Sequence, residues 1–253
     1  MPLTAAAVKR ELKSKINPEK AAFLPRFFQT GPGQYAEGDQ FLGVVVPDQR
    51  RIARQYRQLP RNEIDTLLAD RFHECRLTAL LILVEQFSRC READARKELV
   101  DYYLSRTDAI NNWDLVDASA HKILGAWLSE QTDRRMLDRL AKSRNLWEQR
   151  IAVVATYHLI QRGELDDTLR LAGQLLHHPH DLIHKAVGWM LREVGKQDPR
   201  VLQAYLDRHA AEMPRTMLRY SIEKMPDNQR QHYRSLRGTS TSVATRQGPR
   251  KHK

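Results

Sequence analysis

With 253 residues, 41% of them hydrophobic, the chain is long for one globular domain but suits an elongated repeat stack around a continuous core. Eleven glycines and eleven prolines are few for that length, and alternating Val/Ile/Thr-rich runs are missing, so a β-rich class is excluded and an all-α class expected. The net charge of +11 is uneven: residues 214–253 hold ten Lys/Arg against Glu223 and Asp227, a net of +8, whereas the other 213 residues hold 32 basic against 29 acidic side chains. A basic end on a nearly neutral body suits a polyanionic partner, because cations that neutralise phosphates release condensed counterions; a solubilising tail is the competing account.

Cys75 and Cys90 stand fifteen residues apart without a second pair, which is neither a disulfide framework nor a zinc signature. The opening MPLTAAAVKRELKSK lacks an apolar segment of signal-peptide length, and no apolar run approaches the roughly 18 residues of a membrane span. The expectation is a soluble protein of the reducing cytoplasm.

Along the chain, helical periodicity runs over residues 1–235 and is punctuated by Thr30-Gly31-Pro32-Gly33, Pro47, Pro60, Gly163, Pro179, Asp198-Pro199, Pro214 and Pro226. The early stretch TGPGQYAEGDQF (30–41) lacks the Gly-Lys-Ser/Thr ending of a phosphate-binding loop and follows no strand, so it reads as a turn between the first helices. Long apolar helices are predicted near His73 (HECRLTALLILVEQF), Asn112 (NWDLVDASAHKILGAWL), Trp147 (WEQRIAVVATYHLIQRG) and Pro179 (PHDLIHKAVGWMLREVG). Shorter amphipathic ones alternate with them: READARKELVDYYLS, TDRRMLDRLAK, GELDDTLRLAGQLL and DPRVLQAYLDRHA. The long helices recur every 30 to 40 residues or so, the period of paired-helix solenoids, which predicts a HEAT-like right-handed superhelix of about six pairs. An unrepeated helical bundle is the alternative. Residues 1–236 form the single expected domain, and 237–253, polar and without an apolar face, are expected to be a disordered basic tail.

On the helix near Asn112, an advance of about 100° per residue sets Leu115, Val116, Ile123, Ala126 and Trp127 on one face. Asp117 falls about 40° and His121 about 80° from Trp113, beside that face, whereas Asp114 points elsewhere and suits the first turn, where a negative charge complements the helix dipole. Arg150 sits early in the next long helix, and Trp189 in the one after, with Lys185 before it and Arg192 three residues later. If the helices stack in register, Trp113, Asp117, Arg150 and Trp189 converge on one concave patch suited to a nucleotide, with aromatic faces against sugar or base and a guanidinium fork on phosphate.

These elements resemble the AlkD-like DNA alkylation repair family of HEAT-like repeat glycosylases. The likeness runs from about Ala21 to Tyr233, through FFQTGPGQYAEGDQFLGVVVPDQR, INNWDLVD, LWEQRIAVVATYHLI and HDLIHKAVGWMLREVGK. Trp113 and Asp117 match the family's Trp-x-x-x-Asp element, Arg150 the Arg of its W-x-x-R stretch, and Trp189 the Trp of its G-W-x-L-R-E element. The resemblance implies excision of cationic N3- or N7-alkylated purines from duplex DNA, by a monomer, without metal or other cofactor and without base flipping. It assigns catalysis to Asp117, Trp113, Trp189 and Arg150, with Arg150 also on the backbone phosphate beside the lesion. It also places Tyr35 and Asp39 beside the groove, although a plain turn accounts for that stretch as well. Lys185, Arg192, Lys122, Lys196 and His184 are further candidates for DNA contact.

Two rival readings stand beside this one. A non-catalytic solenoid could hold DNA or a protein, although a phosphate binder has no use for a carboxylate facing a polyanion. His177, His178, His180 and His184 could begin the zinc site of a hydrolase, but no third ligand of the right kind is evident in the sequence.

Overall fold

The structure, a computed structural model, describes residues 2–236; the tail expected at 237–253 lies outside the described residues. Among the described residues the chain is all-helical, with one isolated parallel bridge between Gln40 and Phe72. The helices are α1 (Ala5–Lys13), α2 (Pro18–Phe28), α3 (Val46–Gln55), α4 (Arg61–Leu68), α5 (His73–Arg89), α6 (Ala93–Leu104), α7 (Trp113–Ala120), α8 (Ala126–Leu128), α9 (Arg135–Ala141), α10 (Leu146–Gln161), α11 (Asp166–Gln174), α12 (Asp181–Gln197), α13 (Pro199–His209), α14 (Arg215–Ser221) and α15 (Asp227–Ser235).

The expected repeat is present. Helices α3, α5, α7, α10, α12 and α14 touch one another in succession, and α4, α6, α9, α11, α13 and α15 pack against that row as a second layer. This is a helical-repeat solenoid, in which each pair completes its core only with its neighbours. The amphipathic α11 and α13 bury a single stripe. By contrast α5 buries His73 through Leu83 without a break, its polar His73, Glu74 and Arg76 paired inside the protein and its remaining turns mostly apolar. Local signals start helices of both layers: the side chain of Asn112 accepts from the Trp113 N–H at 2.8 Å and Asn145 from the Trp147 N–H at 2.9 Å in the row, and Asp198 from the Arg200 N–H at 2.8 Å at α13. Helix α12 begins at Asp181, two residues later than the sequence signal at Pro179 suggests, because the His180 side chain caps it.

The helix expected to run unbroken from Asn112 is interrupted. Between α7 and α8 the residues His121–Gly125 wind as a π turn. Extra winding of this kind is undetectable by apolar periodicity and recurs beside functional side chains. Here it follows Asp117 by one turn and brings Gly125 against α10, where a Cβ would lie 2.2 Å from the Ala155 carbonyl oxygen. Earlier in the chain Gly43, at φ +76°, lies two residues past the 30–41 stretch, and a Cβ there would lie 2.1 Å from the Asn17 carbonyl oxygen. Among the described residues no helix is long and apolar enough to cross a membrane.

The close approach at Gly125 predicts that Gly125→Ala destabilises the protein by about 1–3 kcal/mol, the usual cost of overpacking against backbone. Thermal unfolding would register this as a fall of roughly 2–4 °C per kcal/mol for a chain of this size. A melting temperature equal to the parent's would contradict the π-turn contact.

Candidate DNA-lesion cleft

Three helices of the inner row supply the centre of the site. Asp117 stands one turn after Trp113 on α7, Arg150 lies in the second turn of α10, and Trp189 lies midway along α12. All four side chains line one cleft of about 660 Å³, so the convergence expected from the sequence is present. Lys185, Arg192 and Tyr220 line its far side, and Phe27, Gln34 and Tyr35 its near side.

Arg150 is the centre of this geometry. Its Nε donates to Asp117 Oδ1 at 3.0 Å and its Nη2 to Asp117 Oδ2 at 2.8 Å, a two-pronged charge-assisted pair. Its Nη1 donates to the Leu182 carbonyl at 2.5 Å, which ties the first turn of α12 to the same fork. The residue is 4% exposed. The sequence-based expectation that this fork stands free for a phosphate is therefore corrected: its hydrogen bonds are made inside the protein, where they fix Asp117. The Asp117 side chain keeps about 20% exposure, enough to face the cleft. Burial pushes its pKa above the ordinary aspartate value, against the opposing pull of Arg150.

Aromatic rings shape the near wall. Phe27 meets Trp113 edge-on at 5.6 Å between centroids, and Phe28 lies tilted against the same indole at 5.5 Å. Phe27 is half exposed on α2, and Phe23 stacks beside it at 6.3 Å. On the far side Tyr157 supports Trp189 at 5.9 Å. The Tyr35 hydroxyl is held above its ordinary pKa by burial, which a hydrogen bond from Trp113 only partly offsets. Sequence reasoning missed Phe27 and Tyr220. The Phe27-Phe28 pair directly before the Gly-rich stretch was the available signal for the first, whereas nothing local marks Tyr220.

The other expected contacts divide. Lys185 lines the cleft and pairs with Asp181 at 2.9 Å; Arg192 lines it and pairs with Glu223 and Glu193. Lys196 is held by Glu193 at 2.8 Å and does not line the cleft. Lys122 sits in the π turn, where burial and the nearby Arg50 lower its pKa, and it too is outside the cleft. Asp39 requires a correction. Far from bordering the groove, its side chain is 4% exposed and bonds Arg76 Nη2 at 2.6 Å and His73 Nδ1 at 3.2 Å. His184 does not line the cleft, and its Nε2 donates to the His178 carbonyl.

The histidine cluster has a structural account. The His178 N–H at Nε2 donates to Gln149 Oε1 at 2.9 Å, its Nδ1 accepts from the His180 N–H at 3.0 Å, and His180 Nδ1 accepts from the Leu182 N–H at 3.1 Å. These bonds build the turn into α12, beside the carbonyl that Arg150 uses. Among the described residues no group of three or more His, Cys, Asp or Glu is placed to hold a metal ion.

The profile of the DNA alkylation repair enzyme family matches residues 8–225. The chain belongs to that family. A solved structure from Enterococcus faecalis, described as a predicted DNA alkylation repair enzyme, is 18% identical and superposes with a TM-score of 0.65, over 84% of this chain and 98% of that one. At that identity the likeness speaks for the fold. A comparison with curated proteins finds no significant match. Membership of this family gives the chain a DNA repair role, with DNA as its substrate.

A second network joins the cleft's near wall to its floor. His73 is buried between Asp114 Oδ2, at 2.7 Å, and Asp39, and Phe28 packs on its ring at 4.8 Å. Burial opposes protonation of His73, yet Asp114 and Asp39 outweigh it and raise the pKa to about 9. Because this folded value exceeds the unfolded 6.5, His73 stabilises the fold fully below pH 6.5, and that contribution is lost as pH rises through about 9. The melting-temperature gap between the parent and His73→Gln is therefore expected to shrink from pH 6 to pH 10. A gap that stays constant across that range would refute the ion-pair account.

Proposed function

We propose that this protein hydrolyses the N-glycosidic bond of cationic N3- or N7-alkylated purines in duplex DNA, as a monomeric DNA glycosylase that needs no cofactor and no base flipping. The observation that carries the reading is a carboxylate fixed by a buried guanidinium, at the floor of a cleft walled by two indoles. A phosphate-binding surface gains nothing from a carboxylate directed at its ligand; a site that must stabilise positive charge does.

The alkylated purine already carries a positive charge, so it departs as a neutral base without a general acid. As the bond stretches, oxocarbenium character grows on the deoxyribose. Asp117 opposes that charge and orients the attacking water, while Arg150 keeps both carboxylate oxygens in place. The faces of Trp113 and Trp189 hold the cationic nucleotide, each contact contributing about 0.5–2 kcal/mol according to its desolvation. Lys185 and Arg192, on the α12 side of the cleft, serve the phosphates next to the lesion. Tyr35 and Phe27 complete the near wall. A DNA-holding module without chemistry is the second reading, favoured by the exposed Phe23 and Phe27, which offer an apolar surface beside the cleft.

Asp117→Asn is expected to lower single-turnover release of free base from an N7-methylguanine duplex by about 10²–10³-fold, the usual effect of removing one preorganised electrostatic group. Binding of undamaged duplex should persist in the same variant. Release at the parental rate would exclude Asp117 from the chemistry. Because the carboxylate must be ionised, and burial raises its pKa above 3.8, the parental rate should fall with acid in a single-proton step centred above that value. A rate that stays flat down to pH 4 would contradict this role.

A further inference from the structure

We infer that Arg215, Arg219 and Arg234 form a second anion site, beyond the lesion cleft, that grips backbone phosphates of the same duplex. The three residues line a surface pocket of about 390 Å³ on the last repeat, two from α14 and one from α15. All three are exposed, and among the described residues none has a carboxylate partner. The cations around the lesion cleft are in the opposite condition. Lys185 is matched by Asp181, Arg192 by Glu223 and Glu193, and Arg150 by Asp117. Arg215, Arg219 and Arg234 can thus meet phosphate without giving up a carboxylate, whereas Lys185 and Arg192 reach phosphate only by exchanging one.

The pocket adjoins the cleft. The Arg219 guanidinium lies over the Tyr220 ring, 5.5 Å from its centroid, and Tyr220 lines the cleft. On the α14 side the cleft therefore continues through Tyr220 and Arg219 to the pocket that Arg215 and Arg234 also line. Arg215 Nη2 donates to the Arg234 carbonyl at 3.1 Å, which leaves the rest of its fork for an anion. The sequence after Leu236 adds five Lys/Arg to the same end of the chain. A guanidinium fork matches two phosphate oxygens, and a duplex offers about one charge per 1.7 Å of axis, so three forks around one pocket suit a strand better than an isolated ion.

This inference rests on the duplex-binding reading of the cleft, and a salt series separates the two. Binding of an undamaged duplex by the full-length protein is followed by fluorescence anisotropy from about 50 to 300 mM KCl, a range over which phosphate neutralisation governs the slope. The triple variant Arg215→Gln, Arg219→Gln, Arg234→Gln should show a log–log slope shallower by about 0.9 for each phosphate it no longer neutralises, and a weakening on the order of eightfold per phosphate at about 0.1 M salt. Lysines at the same three positions should restore most of the slope, which a merely structural role would not require. The parental slope in the glutamine variant, with N7-methylguanine release intact in the parent, would overturn the second site and leave the glycosylase reading standing. Failure of the parent to bind any duplex would overturn both. An unchanged slope together with weakened binding of polyglutamate would overturn the phosphate site and reassign the pocket to an acidic protein.

Discussion

The architecture around the cleft depends on one side chain, Arg150, that joins three repeats. It emerges from α10, clasps the Asp117 carboxylate of α7 with two hydrogen bonds, and reaches the Leu182 carbonyl of α12 with a third. A solenoid holds each repeat chiefly through its neighbours, so alignment across several repeats needs ties that skip none of them. Removing one partner from a buried pair of this type costs about 3–5 kcal/mol, because the other charge is left without compensation. Positioning and stability are therefore inseparable here: the bonds that aim the carboxylate also fix the register of α7, α10 and α12.

Around this tie the site divides into a rigid floor and an aromatic wall. The floor consists of helix starts, capped by Asn112, Asn145 and His180. The wall comes from the N-terminal segment, where Phe27, Phe28 and Tyr35 gather round Trp113. A charged histidine between two aspartates anchors that segment to α5 and α7. An aromatic cleft with a single preset carboxylate suits a positively charged ligand, whereas a site made only of cations would suit phosphate alone.

Much of this was legible in the sequence. The apolar runs beginning near His73, Asn112, Trp147 and Pro179 became α5, α7, α10 and α12, because a recurring helical stripe has few ways to be buried other than by stacking. The meeting of Trp113, Asp117, Arg150 and Trp189 followed from that stacking. Pairing between side chains was not legible. Nothing in the run of residues distinguishes an arginine that faces solvent phosphate from one closed over an aspartate 33 positions away, nor an Asp39 beside a groove from an Asp39 buried against His73 and Arg76. Such partners are set by which faces come together after folding, and local periodicity is silent about them. The π turn was hidden for a related reason: Ile123 and Leu124 remain apolar and buried whether the helix winds regularly or not.

That irregular winding has a consequence for comparing this chain with its relatives. A π turn accommodates one residue more than regular α-winding over the same rise, so it is equivalent to a single inserted amino acid absorbed without a loop. A relative whose corresponding helix is regular should carry one residue fewer between its carboxylate and the guanidinium that clasps it. An alignment forced through without that gap would pair the wrong side chains from His121 onward, and a functional arginine would be scored as missing where it is merely displaced.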